Sequence, residues 1–151
     1  MAGFDVRFPD DLMGGLLNTD CSEICVKALS EAAPLLVDSM KKSARAAVLH
    51  EGESEMVNSI AFSKAKRTKD GSAYITTVGP RGYSNHMYYD KKGQKKRKYK
   101  VSNALKAIWK EYGIAGKQAP RPFIANATRN AEEKVMNKLQ EVYRNKTGGR
   151  E

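Results

Sequence analysis

Residues 21–49, CSEICVKALSEAAPLLVDSMKKSARAAVL, decide the fold. Cys21, Ile24, Cys25, Ala28, Leu29, Ala32, Leu36, Met40, Ala44, Ala47 and Val48 recur every three or four positions. That spacing puts side chains on one face of an α-helix. Thr19 or Asp20 can cap it, and Glu23 stands where a capping box wants its acid. A continuous helix here has about 30 residues and runs roughly 45 Å. Pro34 has no N–H and clashes with the preceding turn, so a kink or break is expected near Ala33.

Beyond this helix the period changes. Glu51-Gly52-Glu53-Ser54-Glu55 ends it and reads as a solvated acidic loop. From Ile60 and Phe62 the apolar spacing becomes two, as in a strand, and runs to about Arg67. Lys69-Asp70-Gly71-Ser72 is a turn, with Asp-Gly as the hairpin signal. Ala73–Val78 is the return strand, closed by Gly79-Pro80-Arg81-Gly82. Residues 83–101 form a basic hairpin or loop extension, in which Lys98–Val101 can pair back as an edge strand with Gly93 at the tip.

Ser102-Asn103 can then cap a short helix from Ala104 to about Tyr112, with Leu105, Ile108 and Trp109 on one face. Gly113 stops it. A loop carrying Pro120-Arg121-Pro122 leads to a last helix from about Phe123 to Arg144, striped by Ile124, Ala127, Ala131, Val135, Leu139 and Val142. Residues 1–18 read as an irregular lead-in and 145–151 as a flexible tail. The predicted fold is therefore α+β, in one domain over residues 1–151. An antiparallel sheet of about four strands is packed by a long N-terminal helix and a C-terminal helix.

Composition agrees with one folded domain. The chain has 151 residues, 40% hydrophobic and 29% charged, and its mean hydropathy is −0.62. Collagen, a disulfide mini-protein and a wholly disordered chain are excluded. No apolar run approaches the roughly 20 residues of a membrane helix, so no membrane partner is expected. The start, MAGFDVRFPDD, lacks the basic head and apolar centre of a signal peptide, which points to synthesis in the cytosol.

Cys21 and Cys25, four apart in the helical pattern, read as small buried hydrophobes. Two thiols with no nearby histidine do not complete a zinc site. No Gly-rich phosphate loop, GxGxxG, GxSxG, HExxH or paired CxxC is present. His50 reads as a partner of a helix C-terminus and His86 as a loop residue. Neither an enzymatic activity nor a cofactor nor a metal is expected.

Charge is distributed unevenly. The 27 Lys/Arg and 17 Asp/Glu leave a net +10. Residues 1–60 hold 5 basic and 10 acidic side chains, whereas residues 61–151 hold 22 and 7. Lys91, Lys92, Lys95, Lys96, Arg97, Lys98 and Lys100 put seven cations into ten residues. Three readings stand for this run: contacts to phosphates or DNA, a protein-facing surface, or a solvated hairpin whose charges blunt a sheet edge. Tyr88, Tyr89, Tyr99, Trp109 and Tyr112 read as core or interface residues.

Three signatures fall in one order. A long amphipathic helix precedes Glu55-Met56-Val57-Asn58-Ser59-Ile60. A hairpin ends in Val78-Gly79-Pro80. Then come Trp109-Lys110-Glu111-Tyr112-Gly113 and, after a short loop, Pro120-Arg121-Pro122-Phe123-Ile124-Ala125-Asn126-Ala127. Over roughly residues 20–145 this resembles the tail-component family of long-tailed bacteriophages, the tail-completion or head–tail joining proteins of the neck. Members carry "TG-x-L-x-x-S-I" after the helix, then "E-[FY]-G" and "P-x-P-F-[IL]-x-x-A". The Thr-Gly of the first motif is absent here, where His50-Glu51-Gly52 precedes the acidic link.

The resemblance implies a non-catalytic virion part, commonly a hexameric ring in the virion whose subunit can be a monomer in isolation. Its implied partners are other neck, head-closure and tail-tube proteins, with double-stranded DNA in the lumen. Glu111, Tyr112, Gly113, Pro120, Arg121, Pro122 and Phe123 become an interface or structural motif. Locally, Gly113 would end one helix, Pro122 would start the next from its first turn, and Phe123 would anchor the loop in the core. A small basic nucleic-acid-binding module using residues 91–100 is the alternative function.

Overall fold

The apolar stripe that opens the sequence argument becomes α1, Cys21–Ala47. The computed structural model describes residues 4–5, 8–9, 21–47, 53–89 and 95–148. The fold is α+β. Its elements are β1 (Phe4–Asp5), β2 (Phe8–Pro9), α1, α2 (Ser54–Asn58), β3 (Ile60–Phe62), β4 (Lys66–Arg67), β5 (Ala73–Ile75), β6 (Thr77–Pro80), β7 (Tyr83–Tyr89), β8 (Lys95–Ser102), α3 (Asn103–Tyr112) and α4 (Phe123–Thr147). The caps considered at Thr19 and Asp20, and His50 and Glu51, lie outside the described residues.

α1 buries Ile24, Cys25, Ala28, Leu29, Ala32, Leu36, Met40 and Ala44, and α4 buries Ala127, Ala131, Val135, Leu139 and Val142. Both sets follow the helical spacing read from sequence. The helices run antiparallel, with Ser39 Oγ donating to Ala127 O at 2.9 Å and Lys138 Nζ 3.6 Å from Glu31 Oε2. The alanines at 28, 32, 127 and 131 are small enough to let the backbones approach closely. Met56, Val57, Ile60, Val78 and Ala107 close the same core from the other elements, and Phe123 from the first turn of α4. Burying a side chain the size of Phe123 or Leu36 stabilises the fold by about 1.5–3 kcal/mol.

Of the kink or break expected near Ala33, the break does not occur: α1 continues through Pro34. Pro34 lies on the exposed face, as does Ser30 one turn earlier. The Ser30 carbonyl that loses its partner to the proline therefore stands on the solvent side, where water can replace the missing N–H.

The strands form three small antiparallel sheets, ordered β1-β6-β3, β2-β5-β4 and β7-β8. The Asp70-Gly71 turn forms as read and joins β4 to β5, pairing Lys66 with Ile75 and Arg67 with Tyr74. Gly71 has φ +74°, which suits glycine. The Asp70 carboxylate accepts from Ser72 N at 3.3 Å and Ser72 Oγ at 2.8 Å. Hydrogen bonds from Thr68 and Ser72 lower its pKa to about 2.

Two stretches differ from the sequence reading. The lead-in is not irregular throughout, because Phe4–Asp5 and Phe8–Pro9 pair with β6 and β5. The acidic link after α1 contains a helix, α2, whose Met56 and Val57 enter the core. At the other end α4 continues to Thr147 and stops at Gly148 in the left-handed conformation, past the expected end at Arg144.

Candidate nucleic-acid and partner interface

The basic run lies on β8, the outgoing strand of a two-stranded antiparallel ribbon. The register pairs Tyr83 with Ser102, Ser84 with Val101, Asn85 with Lys100 and His86 with Tyr99. Farther out, Met87 faces Lys98, Tyr88 faces Arg97 and Tyr89 faces Lys95, with an irregularity between Tyr88 and Tyr89. Lys96 is the extra residue there. Lys91 and Lys92 lie outside the described residues, and Lys100 is exposed.

Side chains of α3 and α2 fix the root of this ribbon. Lys106 Nζ donates to Ser84 Oγ at 2.6 Å and to Asn85 O at 2.8 Å. The Ser84 hydroxyl donates to Asn103 Oδ1. Asn103 Nδ2 donates to Arg81 O at 2.7 Å, and Asn103 N to Gly82 O at 2.9 Å. Asn85 N–H donates to Glu55 Oε2 at 3.3 Å. Glu55 and Lys106 thus satisfy the Asn85 amide and carbonyl. Burial pushes the Lys106 ammonium pKa down, and the charges of Glu55 and Glu53 oppose that shift.

His86 packs edge-on against Tyr99, with ring centroids 5.5 Å apart, and against Trp109 at 5.7 Å. It is a ribbon residue in contact with α3, not a loop residue. Burial lowers its pKa, the Lys106 charge lowers it further, and Glu53 acts in the opposite direction.

The buried face of α3 differs from the expected one. Asn103, Lys106, Ala107, Lys110 and Glu111 are buried, while Leu105 is 41% exposed and Tyr112 73%. Ile108 and Trp109 are half-buried. Polar groups tolerate burial when each has a partner, and these do. Lys110 Nζ lies 2.7 Å from Glu53 Oε1. This corrects the reading of Glu53 as a solvated loop residue; Glu55 is exposed, as expected, but stands on α2 rather than in a loop. The polar stripe at 103, 106, 110 and 111 has helical spacing, and that was the available sequence signal.

Glu111 organises the second candidate motif. Its carboxylate accepts from Ile124 N at 2.8 Å and from Ala125 N at 3.1 Å, at the start of α4. Pro122 occupies the N-cap rather than the first turn. It has no side-chain acceptor, so the cap comes from Glu111. Gly113 ends α3 at φ +76°, and a Cβ there would lie 2.6 Å from Gln118 O and 2.8 Å from Pro120 N. Arg121 N donates to Lys110 O at 2.7 Å, and Phe123 N to Arg121 O at 2.8 Å. Phe123 is 1% exposed, so it does anchor the loop in the core. Pro120 is exposed and Arg121 half-buried. Glu111-Tyr112-Gly113 and Pro120–Phe123 are therefore two sides of one junction.

Charge gathers on this part of the chain. Residues 81–122 contain 12 Lys/Arg and 2 Asp/Glu, and the remainder contains 15 of each. The whole net charge thus belongs to the unit of ribbon, α3 and the turn into α4. At the ribbon root an open cleft of about 500 Å³ has Glu55, Arg81, Tyr83, Asn85 and Lys100 on its walls. Tyr83 is 74% exposed.

Among the described residues, no group of three or more His, Cys, Asp or Glu is placed to hold a metal ion. No described helix is long and apolar enough to cross a membrane. Comparison with protein-family models, with curated proteins and with solved structures gave no match.

Proposed function

We propose that this chain is a structural virion protein of a tailed bacteriophage, one subunit of a ring at the head–tail neck or tail end through which DNA passes. The observation that carries the reading is the Glu111–Ile124 junction. The two motifs that carry the resemblance, Glu111-Tyr112-Gly113 and Pro120–Ala127, meet there as one capped turn. Their pairing in the sequence then has a structural reason, since each half is needed to build the other.

A ring subunit needs two different surfaces that fit each other and close by rotation. The basic unit 81–122 offers one such surface, with Tyr112 and Leu105 exposed on it. The proposed neighbours are further copies, six in the ring, and the head-closure and tail-tube proteins above and below. The reading assigns the chain no catalytic step and no cofactor, and places it in the virion after synthesis in the host cytoplasm.

A second reading is favoured by the same charge count: a small nucleic-acid-binding module acting through the ribbon. Gene deletion separates the two. A neck role predicts that filled heads and tails accumulate unjoined and that the purified protein restores joining in vitro. Normal particle yield from the deletion would remove the neck role.

A further inference from the structure

We infer that the ribbon and its root form a docking surface for the phosphate backbone of duplex DNA, read without regard to base sequence. The inference rests on the neck reading only in taking duplex DNA as the polyanion at hand. Residues 81–122 hold all of the net +10, and the rest of the chain is balanced at 15 and 15. Several acids of the first part are engaged within the fold: Glu31 with Lys27 and Lys138, Glu53 with Lys110, Glu55 with Asn85. Such a concentration of positive charge calls for a partner that presents a dense run of negative charge. A DNA duplex does, with one negative charge per about 1.7 Å of its axis.

Shape and residue choice point the same way. A two-stranded β-ribbon is narrow enough to enter the major groove, which is about 12 Å wide. Residues 95–100 advance along the strand by roughly 17 Å, a distance that passes several phosphates. Four of the five cations there are lysines, compact charges without the forked geometry that reads guanine edges. At the root, Arg81 and Lys100 border the cleft beside exposed Tyr83. The Lys106–Ser84–Asn103 contacts fix that root against α3.

Fluorescence anisotropy of the full chain with two labelled duplexes of unrelated sequence tests this between about 50 and 200 mM salt. The expected result is affinities within about twofold of each other, falling with salt by about 0.9 in log–log slope per phosphate contacted. Replacing Lys95, Lys96, Arg97 and Lys98 by serine should weaken binding at least about tenfold and flatten the slope by about 3–4. Replacing Lys41, Lys42, Arg45 and Lys134 by serine should change it by no more than about one contact. Circular dichroism checks that both variants fold.

Equal losses in the two variants, or a strong preference for one sequence, would overturn the inference. So would a ribbon variant that loses self-association while duplex binding is unchanged, since the surface would then face protein. A labelled ring at the virion neck without duplex binding defeats this inference and leaves the neck reading standing. Duplex binding by a protein not found in virions does the reverse.

Discussion

The Glu111 carboxylate accepts the Ile124 N–H at 2.8 Å, joining the last turn of α3 to the first turn of α4 across thirteen residues. With Ala125 as its second donor, it supplies the cap that Pro122 cannot. Removal of an N-cap acceptor costs about 0.5–2 kcal/mol. Glu111→Ala should therefore lower unfolding free energy in denaturant titration by about 1–2 kcal/mol. Glu111→Gln should lose less than Glu111→Ala, because one of the two acceptors remains; it gives up the other and the charge at the helix N-terminus, the latter worth about 0.3–1 kcal/mol. Equal stability of wild type and Glu111→Ala would refute the capping role.

Gly113 faces the same junction from the backbone. Gly113→Ala combines a positive φ with a Cβ 2.6 Å from the Gln118 carbonyl oxygen. Gly116→Ala meets only the conformational cost, since nothing lies within 4 Å. The first should lower Tm clearly more than the second, whose cost is about 1–2 kcal/mol. Equal shifts in thermal melts would show that the turn opens to admit the methyl group.

The Lys110–Glu53 pair is asymmetric, with side chains 5% and 22% exposed. Removing Glu53 strands the more buried charge, so Glu53→Ala should cost about 3 kcal/mol, the lower end for a broken buried pair. Lys110→Met leaves Glu53 with some solvent and should cost only about 1 kcal/mol. The double variant should resemble Lys110→Met alone. Additive losses in the double-mutant cycle would show that the two side chains act independently.

His86 makes the ribbon root sensitive to acid. Its pKa lies below the ordinary 6.5, chiefly through burial and then through the Lys106 charge. A lowered pKa means that the fold favours the neutral ring. The stability this confers is present above pH 6.5 and is lost as pH falls through the lower, folded value. His86→Phe keeps an aromatic edge against Tyr99 and Trp109 and removes the titration. Its unfolding free energy should fall less steeply than that of wild type as pH drops below 6.5. Parallel acid limbs would show that another group is responsible.

Much of the fold is legible in the sequence because it rests on local periodicity. The stripes of α1 and α4, the Asp70-Gly71 turn and the stop at Gly113 each depend on residues within a turn or two. The harder features depend on distant partners. Nothing near Lys106 announces Ser84 and Asn85 as acceptors, and nothing near Glu53 announces Lys110. Without those partners, a helix reading Leu105, Ile108 and Trp109 is naturally turned apolar side inward. The choice between kink and break at Pro34 is open in the sequence for a related reason: the cost depends on whether the orphaned carbonyl meets water. Of the candidate residues, the Glu111 and Pro120–Phe123 groups were visible as motifs, but their contact through a carboxylate required the folded chain.

Microscopy of virions carrying this protein with a C-terminal gold label tests the central claim most directly. A neck ring predicts label confined to the head–tail junction or tail end, in a number of copies set by the ring. Virions without label, or label spread along the capsid or the tail length, would contradict it.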